Sequence, residues 1–178
     1  MKKILLLLII EILFTSIAFA QNYPIPFKFE TVDSAQGTKS ELFIKANEWL
    51  AKTFNSAKDV IQMSDKDAGK IIAKGIMETY TKVGITKGVY YTKFTLTIDV
   101  MDNKCRIRIF DFITQECKTN NGHLMSINYS LDNSEPPSNG LGSYGKKMWE
   151  DIKNYCFTQS NQLAEDLLVA LKTKSENW

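Results

Sequence analysis

Val89 to Thr114 reads VYYTKFTLTIDVMDNKCRIRIFDFIT, and the way this stretch pairs with itself decides the fold. Phe94, Leu96, Ile98 and Val100 alternate with Thr95, Thr97, Asp99 and Met101. A period of two in a segment rich in β-branched residues predicts a half-buried strand. Asp102-Asn103 then supplies a two-residue hairpin turn. Closing the hairpin there sets Met101 opposite Lys104, Val100 opposite Cys105, Asp99 opposite Arg106, Ile98 opposite Ile107, Thr97 opposite Arg108 and Leu96 opposite Ile109. One face collects Phe94, Leu96, Ile98, Val100, Cys105, Ile107 and Ile109. The other collects Tyr91, Lys93, Thr95, Thr97, Asp99, Arg106, Arg108, Phe110 and Phe112. A slip of one residue would exchange the two faces, which burial of the first forbids.

The flanking segments supply layers for that apolar face. Upstream, PIPFKFETVDS (24–34) alternates as a strand does. Thr38 and Glu41 have capping-box spacing, and Leu42, Phe43, Ala46, Trp49, Leu50 and Phe54 form a helical apolar stripe. A second strand is expected at about 58–63 and a third at about 70–79. Between them, MSDKDAGKIIAKG (63–75) has the look of an ion loop but fails both templates. A calcium loop from Asp65 needs glycine and glutamate where Lys70 and Ile76 stand. A phosphate loop needs glycine at Ser64 and a hydroxyl residue at Ile71. A tight turn is the reading that remains. Downstream, 123–130 reads as a strand entered through Asn121-Gly122, 131–143 as a Pro/Gly/Ser/Asn-rich loop, and about 144–173 as a helix with Trp149, Ile152, Cys156, Leu163, Leu167 and Ala170 on one stripe. The order predicts an α+β fold, a curved antiparallel sheet of five or six strands with two helices packed on one face, β-α-β-β-β-β-(β)-α.

The chain has 178 residues, with 22 basic and 20 acidic side chains, one histidine and three cysteines. Residues 1–20, MKKILLLLIIEILFTSIAFA, place Lys2 and Lys3 before an apolar stretch that ends on Ala18-Phe19-Ala20, as a cleavable signal peptide does. Glu11 interrupts that stretch and argues against an uncleaved anchor, so no transmembrane anchor is expected after cleavage. The expectation is an exported protein, periplasmic or secreted to the cell surface, with one domain over 21–178. Its near-neutral charge argues against nucleic acid, which requires several phosphates to be neutralised together.

Thr31-Val32, the helix around Trp49-Leu50, Ala57-Lys58-Asp59-Val60-Ile61-Gln62 and Asp67-Ala68-Gly69-Lys70-Ile71-Ile72 with Lys74-Gly75 resemble, in that order, the secreted bacterial family called domain of unknown function 4468, which has a TATA-binding-protein-like (TBP-like) fold. The resemblance runs from about 27 to 114 and leaves 120–178 outside. It implies a TBP-like sheet and a Bacteroidetes-type envelope protein. It brings no activity or site residue with it, and a shared fold does not transfer DNA binding.

No catalytic residue, cofactor motif or metal-ligand set is assigned. Gly140 to Gly145 matches G-x-G-x-x-G but follows Pro136-Pro137 in an antiparallel context, whereas a dinucleotide fingerprint needs a parallel βαβ unit. His123 is the only histidine, which rules out a two-histidine site. Cys105 and Cys117 lie too far apart along one strand to bridge. Cys105 and Cys156 are expected to be packed, with a Cys105–Cys156 disulfide as the alternative. The binding candidates are Tyr91, Lys93, Arg106, Arg108, Phe110 and Phe112, a basic and aromatic set on the second sheet face that suits a small anionic ligand, a glycan or an envelope protein. The ordinary reading of that face is an Asp99–Arg106 cross-strand pair on a solvated surface. The competing function is a cell-envelope hydrolase using carboxylates such as Glu78, Asp99 and Asp111.

Overall fold

In the computed structural model, which describes residues 26–54, 56–83, 86–119, 122–133, 135–136 and 143–173, the predicted hairpin is the centre of the sheet. Strands β4 (Thr86–Met101) and β5 (Lys104–Thr119) pair in the register read from the sequence, from Met101 opposite Lys104 to Leu96 opposite Ile109. Asn103 takes the positive φ of 60° that the tight turn requires. The turn also holds its surroundings. Asp102 Oδ1 accepts the Lys39 N–H at 2.7 Å and Asn103 Oδ1 accepts the Gly37 N–H at 3.1 Å, so it braces the start of helix α1 (Lys39–Thr53). The capping box is formed, with Thr38 N donating to Glu41 Oε2 at 2.7 Å and Glu41 N to Thr38 Oγ1 at 3.3 Å.

Strand β1 (Phe29–Ser34) pairs with the first half of β5, and β6 (Leu124–Ser130) with its second half. On the other side β4 pairs with β3 (Lys70–Val83), which pairs with β2 (Ile61–Asp65). The result is a six-stranded antiparallel sheet in the order β1-β5-β4-β3-β2 with β6 on β5. Helix α1 and the long helix α3 (Ser143–Lys172) cover one face. Phe94, Leu96, Ile98, Val100, Cys105, Ile107 and Ile109 are buried beneath them together with Leu42, Leu50, Ile152 and Leu167.

The structure corrects several boundaries. Residues 57–60 are a helical turn, α2 (Ala57–Val60), and β2 starts only at Ile61. The Ser56 carbonyl accepts from Asp59 N and Val60 N, and the Ser56 hydroxyl bonds to Asp59, so the serine starts a turn where a strand was expected. The β3–β4 hairpin is longer than predicted on both arms. The inward stripe of α3 ends on Ser160, Ala164, Leu167 and Leu171, with Leu163 and Ala170 only half-buried. The Asp65–Gly69 stretch is a turn, in which Asp65 Oδ1 accepts the Ala68 N–H at 2.9 Å. Gly69 has φ 64°, and a Cβ there would lie 2.4 Å from the Val100 carbonyl oxygen, so a glycine is required. The leader and the central part of the glycine-rich loop, 137–142, lie outside the described residues.

Phe112 is the main correction to the face assignment. Thr95 is opposite Phe110 and Lys93 is opposite Ile113, so Phe94 alone faces both Asp111 and Phe112. This is a β-bulge, and Asp111 carries its positive φ of 54°. The extra residue reverses the alternation. Phe112 therefore turns inward, 1% exposed, with its ring 5.1 Å from that of Phe27 and 6.3 Å from that of Phe94. A second bulge at Gln115, between the Thr92–Thr114 and Tyr91–Glu116 pairs, reverses it again and turns Cys117 inward. Between and beyond the bulges the buried face becomes polar, with Thr79, Thr81, Thr92 and Thr114 on the sheet and Ser160 on α3. Thr92 and Thr114 hydroxyls pair at 3.0 Å, and Ser160 Oγ donates to the Cys156 carbonyl at 2.7 Å.

All three cysteines are buried free thiols. A Cys105–Cys156 bridge is excluded by position. Cys105 lies opposite Val100 and near Lys172, whereas Cys156 lies beside Thr92 and Thr79. From Thr92 to Val100 the strand advances roughly 26 Å.

Candidate functional site

No described helix covers the face of the sheet away from α1 and α3, and that face divides into two regions. At the β4–β5 turn end, Asp99 is a hub. Its Oδ2 accepts Arg106 Nε at 3.1 Å, Arg106 NH2 at 3.1 Å and Arg108 NH2 at 3.0 Å, while Oδ1 meets Lys70 Nζ at 3.2 Å. Burial pushes the Asp99 carboxyl upward, but the hydrogen bonds from Lys70 and Arg106 outweigh it and hold the group below the usual aspartate range. The two arginines are therefore engaged with a carboxylate within the sheet. Thr97, with Ile72 and Arg108 as cross-strand neighbours, is buried on this face, so the region is packed as well as paired.

The other region lies at the far end, where the β3–β4 hairpin and the end of β5 form a hollow of about 640 Å³. Glu78, Tyr80 and Lys82 enter it from β3, Lys87 and Tyr91 from β4, and Lys118 from β5. The register explains the grouping, since Glu78 is opposite Tyr91, Lys82 opposite Lys87, and Lys118 opposite Val89. Tyr80 is 71% exposed and its hydroxyl donates to Glu78 Oε2 at 3.3 Å. The Glu78 charge and that hydrogen bond raise the Tyr80 pKa.

The predicted set is thus divided. Arg106 and Arg108 are in the Asp99 cluster, Lys93 is exposed between the regions, and Phe110 is half-buried opposite Thr95. Only Tyr91 reaches the hollow, and Phe112 is in the core. The carboxylates of the hydrolase reading do not converge. Glu78 is opposite Tyr91, and from Tyr91 to Asp99 the strand runs roughly 26 Å. Asp111 is at the first bulge, accepting from Thr95 Oγ1 at 3.4 Å. His123 is exposed in the β5–β6 turn, where its carbonyl accepts the Thr119 N–H at 2.9 Å. Sequence reasoning missed Tyr80, Lys82, Lys87 and Lys118. Lys82 and Lys87 were within reach as a pair flanking a hairpin turn; the place of Lys118 opposite Val89 was not, because it depends on both bulges.

A sheet with β5 central and helices on one face has known counterparts. Residues 29–115 match the family model described as a domain of unknown function (DUF4468) with TBP-like fold. This segment is a DUF4468 domain. Among solved structures, a TBP-like protein from Parabacteroides distasonis is similar, with 17% identity, a TM-score of 0.65, and coverage of 88% of this chain and 99% of that one. A DUF4468 family protein from Bacteroides ovatus is also similar, at 11% identity and a TM-score of 0.60, covering 83% of this chain and 86% of that one. No curated protein matches the chain. At these identities the likeness concerns fold alone. Coverage reaches well past the DUF4468 segment, which makes the elements after residue 115 part of the shared architecture. The hollow straddles this boundary, because Lys118 lies just beyond it.

Proposed function

We propose that this DUF4468 protein is exported to the cell envelope and acts there as a noncatalytic binding protein, taking an anionic ligand of the glycan class on its open sheet face. The observation that carries this reading is the hollow, where Lys82 and Lys118 stand beside two tyrosines in a concavity of about 640 Å³, within the usual range for small-ligand sites. Tyrosine rings offer a sugar an apolar surface, and ammonium groups offer its carboxylates or sulfates charge-assisted hydrogen bonds. The basic and apolar order of residues 1–20 supports export.

The test is calorimetric titration of the secreted protein with size-defined uronic-acid and sulfated oligosaccharides. Saturable binding that weakens with salt is expected, with at least a tenfold loss in Lys82→Ala/Lys118→Ala and in Tyr91→Ala. Arg106→Ala/Arg108→Ala should bind as wild type does. Binding indifferent to the lysines, or lost with the arginines, would remove the hollow as the site. N-terminal sequencing of the protein from the envelope fraction should begin at Gln21.

A further inference from the structure

Strand β3 has 14 residues, but β2 pairs only with Lys70–Ala73. From Lys74 to Val83 its inner edge is paired with β4 throughout, while no described strand lies along its outer edge. About half of these residues direct their N–H and C=O groups outward. A row of this kind is matched in full only by another strand. The stretch 74–83 has no proline, short length or inward charge to blunt it, and its edge charges Lys74, Glu78 and Lys82 restrict pairing to a strand of complementary charge.

What lies on either side of the edge gives the incoming strand a chemistry. On the helix side, β3 and α3 border a trough of about 380 Å³ among Phe54, Met77, Phe94, Tyr155, Gln159 and Leu163, and it continues round the strand edge onto Ile76, Glu78 and Tyr80. It opens because α1 ends at Thr53 and leaves α3 alone over this part of the sheet. On the open side, Lys74, Ile76, Glu78, Tyr80 and Lys82 alternate outward, with Ile76 57% and Tyr80 71% exposed. A strand laid antiparallel along β3 places every second side chain in the trough and the rest against that row.

We propose that the outer edge of β3 is a docking site for an extended segment of another protein, bound by strand addition. The segment carries apolar residues at alternate positions for the trough. On the other side it carries acidic residues opposite Lys74 and Lys82 and a basic one opposite Glu78. A second copy of this chain fits poorly. Two-fold pairing centred on Glu78, the register that overlaps most of the edge, sets Lys74 against Lys82 and Glu78 against itself, and like charges oppose it.

The experiment titrates the isotope-labelled secreted protein with capped nine-residue peptides that have glutamate at both ends, lysine in the centre, and valine, leucine or phenylalanine at the even positions. The expected result is saturable binding, with amide shifts and slowed hydrogen exchange confined to residues 74–83 and the trough. N-methylation of the peptide at alternate residues in one phase abolishes binding; methylation in the other phase leaves it. Gln159→Trp, which fills the trough from a half-exposed position, costs at least tenfold, and Leu163→Ala costs less. Lys118→Ala has no effect, which separates this edge from the oligosaccharide hollow. The proposal is overturned if no peptide of the set saturates by about 1 mM, if both methylation phases act equally, or if the peptide-free protein is a dimer that already protects residues 74–83 from exchange.

Discussion

Phe112→Ala tests the bulge on which the arrangement of β5 depends. If the strand alternated without interruption, Phe112 would stand in solvent beside Phe110 and its loss would matter little. In the structure it is 1% exposed and its ring meets those of Phe27 and Phe94 at 5.1 and 6.3 Å. Deleting a fully buried phenylalanine ring costs about 3–5 kcal/mol, the transfer of its carbons plus the cavity left behind. Taking about 4 kcal/mol and a urea slope of about 2 kcal/mol/M, the midpoint falls by about 2 M. That is a large share of the roughly 5–15 kcal/mol that holds a typical domain folded. Phe110→Ala, from a half-buried position, should cost about 1 kcal/mol. Asp111→Val should cost about 1–2 kcal/mol, since a β-branched residue resists the positive φ of 54° found there. The assay is urea unfolding followed by fluorescence of the buried Trp49 and Trp149 together with far-ultraviolet circular dichroism. Should Phe110→Ala prove more costly than Phe112→Ala, the bulge is misplaced and the facing of everything beyond it on β5 is wrong.

Two further predictions concern charge and thiols. The Asp99 carboxyl titrates below its ordinary range in the folded chain, so its contribution is complete above the unfolded value and is lost as pH falls through the folded one. Asp99→Asn should therefore cost about 1 kcal/mol at pH 7, where exposed ion pairs are individually weak, and the difference from wild type should shrink as pH falls below the ordinary aspartate range; a difference that stays constant through that fall would mean that Asp99 is not the anion of the cluster. The three cysteines should resist alkylation in the native state, Cys156 most of all with its thiol pushed up to about 12 by burial, and all three should react in urea without reductant. Any thiol still protected after unfolding would indicate a bridge.

What could be read from the chain was set by the range of each signal. The hairpin register was legible because alternation, turn chemistry and burial agree from Leu96 to Ile109. The start of α1 was legible because Thr38 and Glu41 act on backbone groups three residues away. The Ser56 turn was not, because a serine and an aspartate three residues on compete locally with a strand pattern of equal length. Reading Arg106 and Arg108 as ligand groups failed for another reason. A cross-strand Asp99–Arg106 pair was visible, but the approach of Lys70 from β3 and the reach of Arg108 to the same carboxylate required the third strand to be in place.

Once the first bulge has formed, the hollow requires the second. Carried past Ile109 without interruption, the alternation of β5 would leave Phe110, Phe112 and Thr114 all outward. The first bulge turns Phe112 and Thr114 under α3, where Thr114 pairs with Thr92. The second then restores the original phase, so that Cys117 is buried against Tyr90 and Lys118 faces out opposite Val89. With one bulge alone, Lys118 would point into the core beside Thr81 and Tyr90, and the cost of burying an unpaired ammonium would forbid the arrangement. The pair of bulges thus lets a single 16-residue strand serve an aliphatic core, a polar core and a basic surface in succession. It follows that deleting Gln115, the extra residue of the second bulge, should straighten the strand without changing its facing: Glu116 then follows Thr114 directly, Cys117 stays inward and Lys118 outward, and both oligosaccharide binding and the Asp99 cluster survive. Loss of binding in that variant would show that Gln115 is not the extra residue.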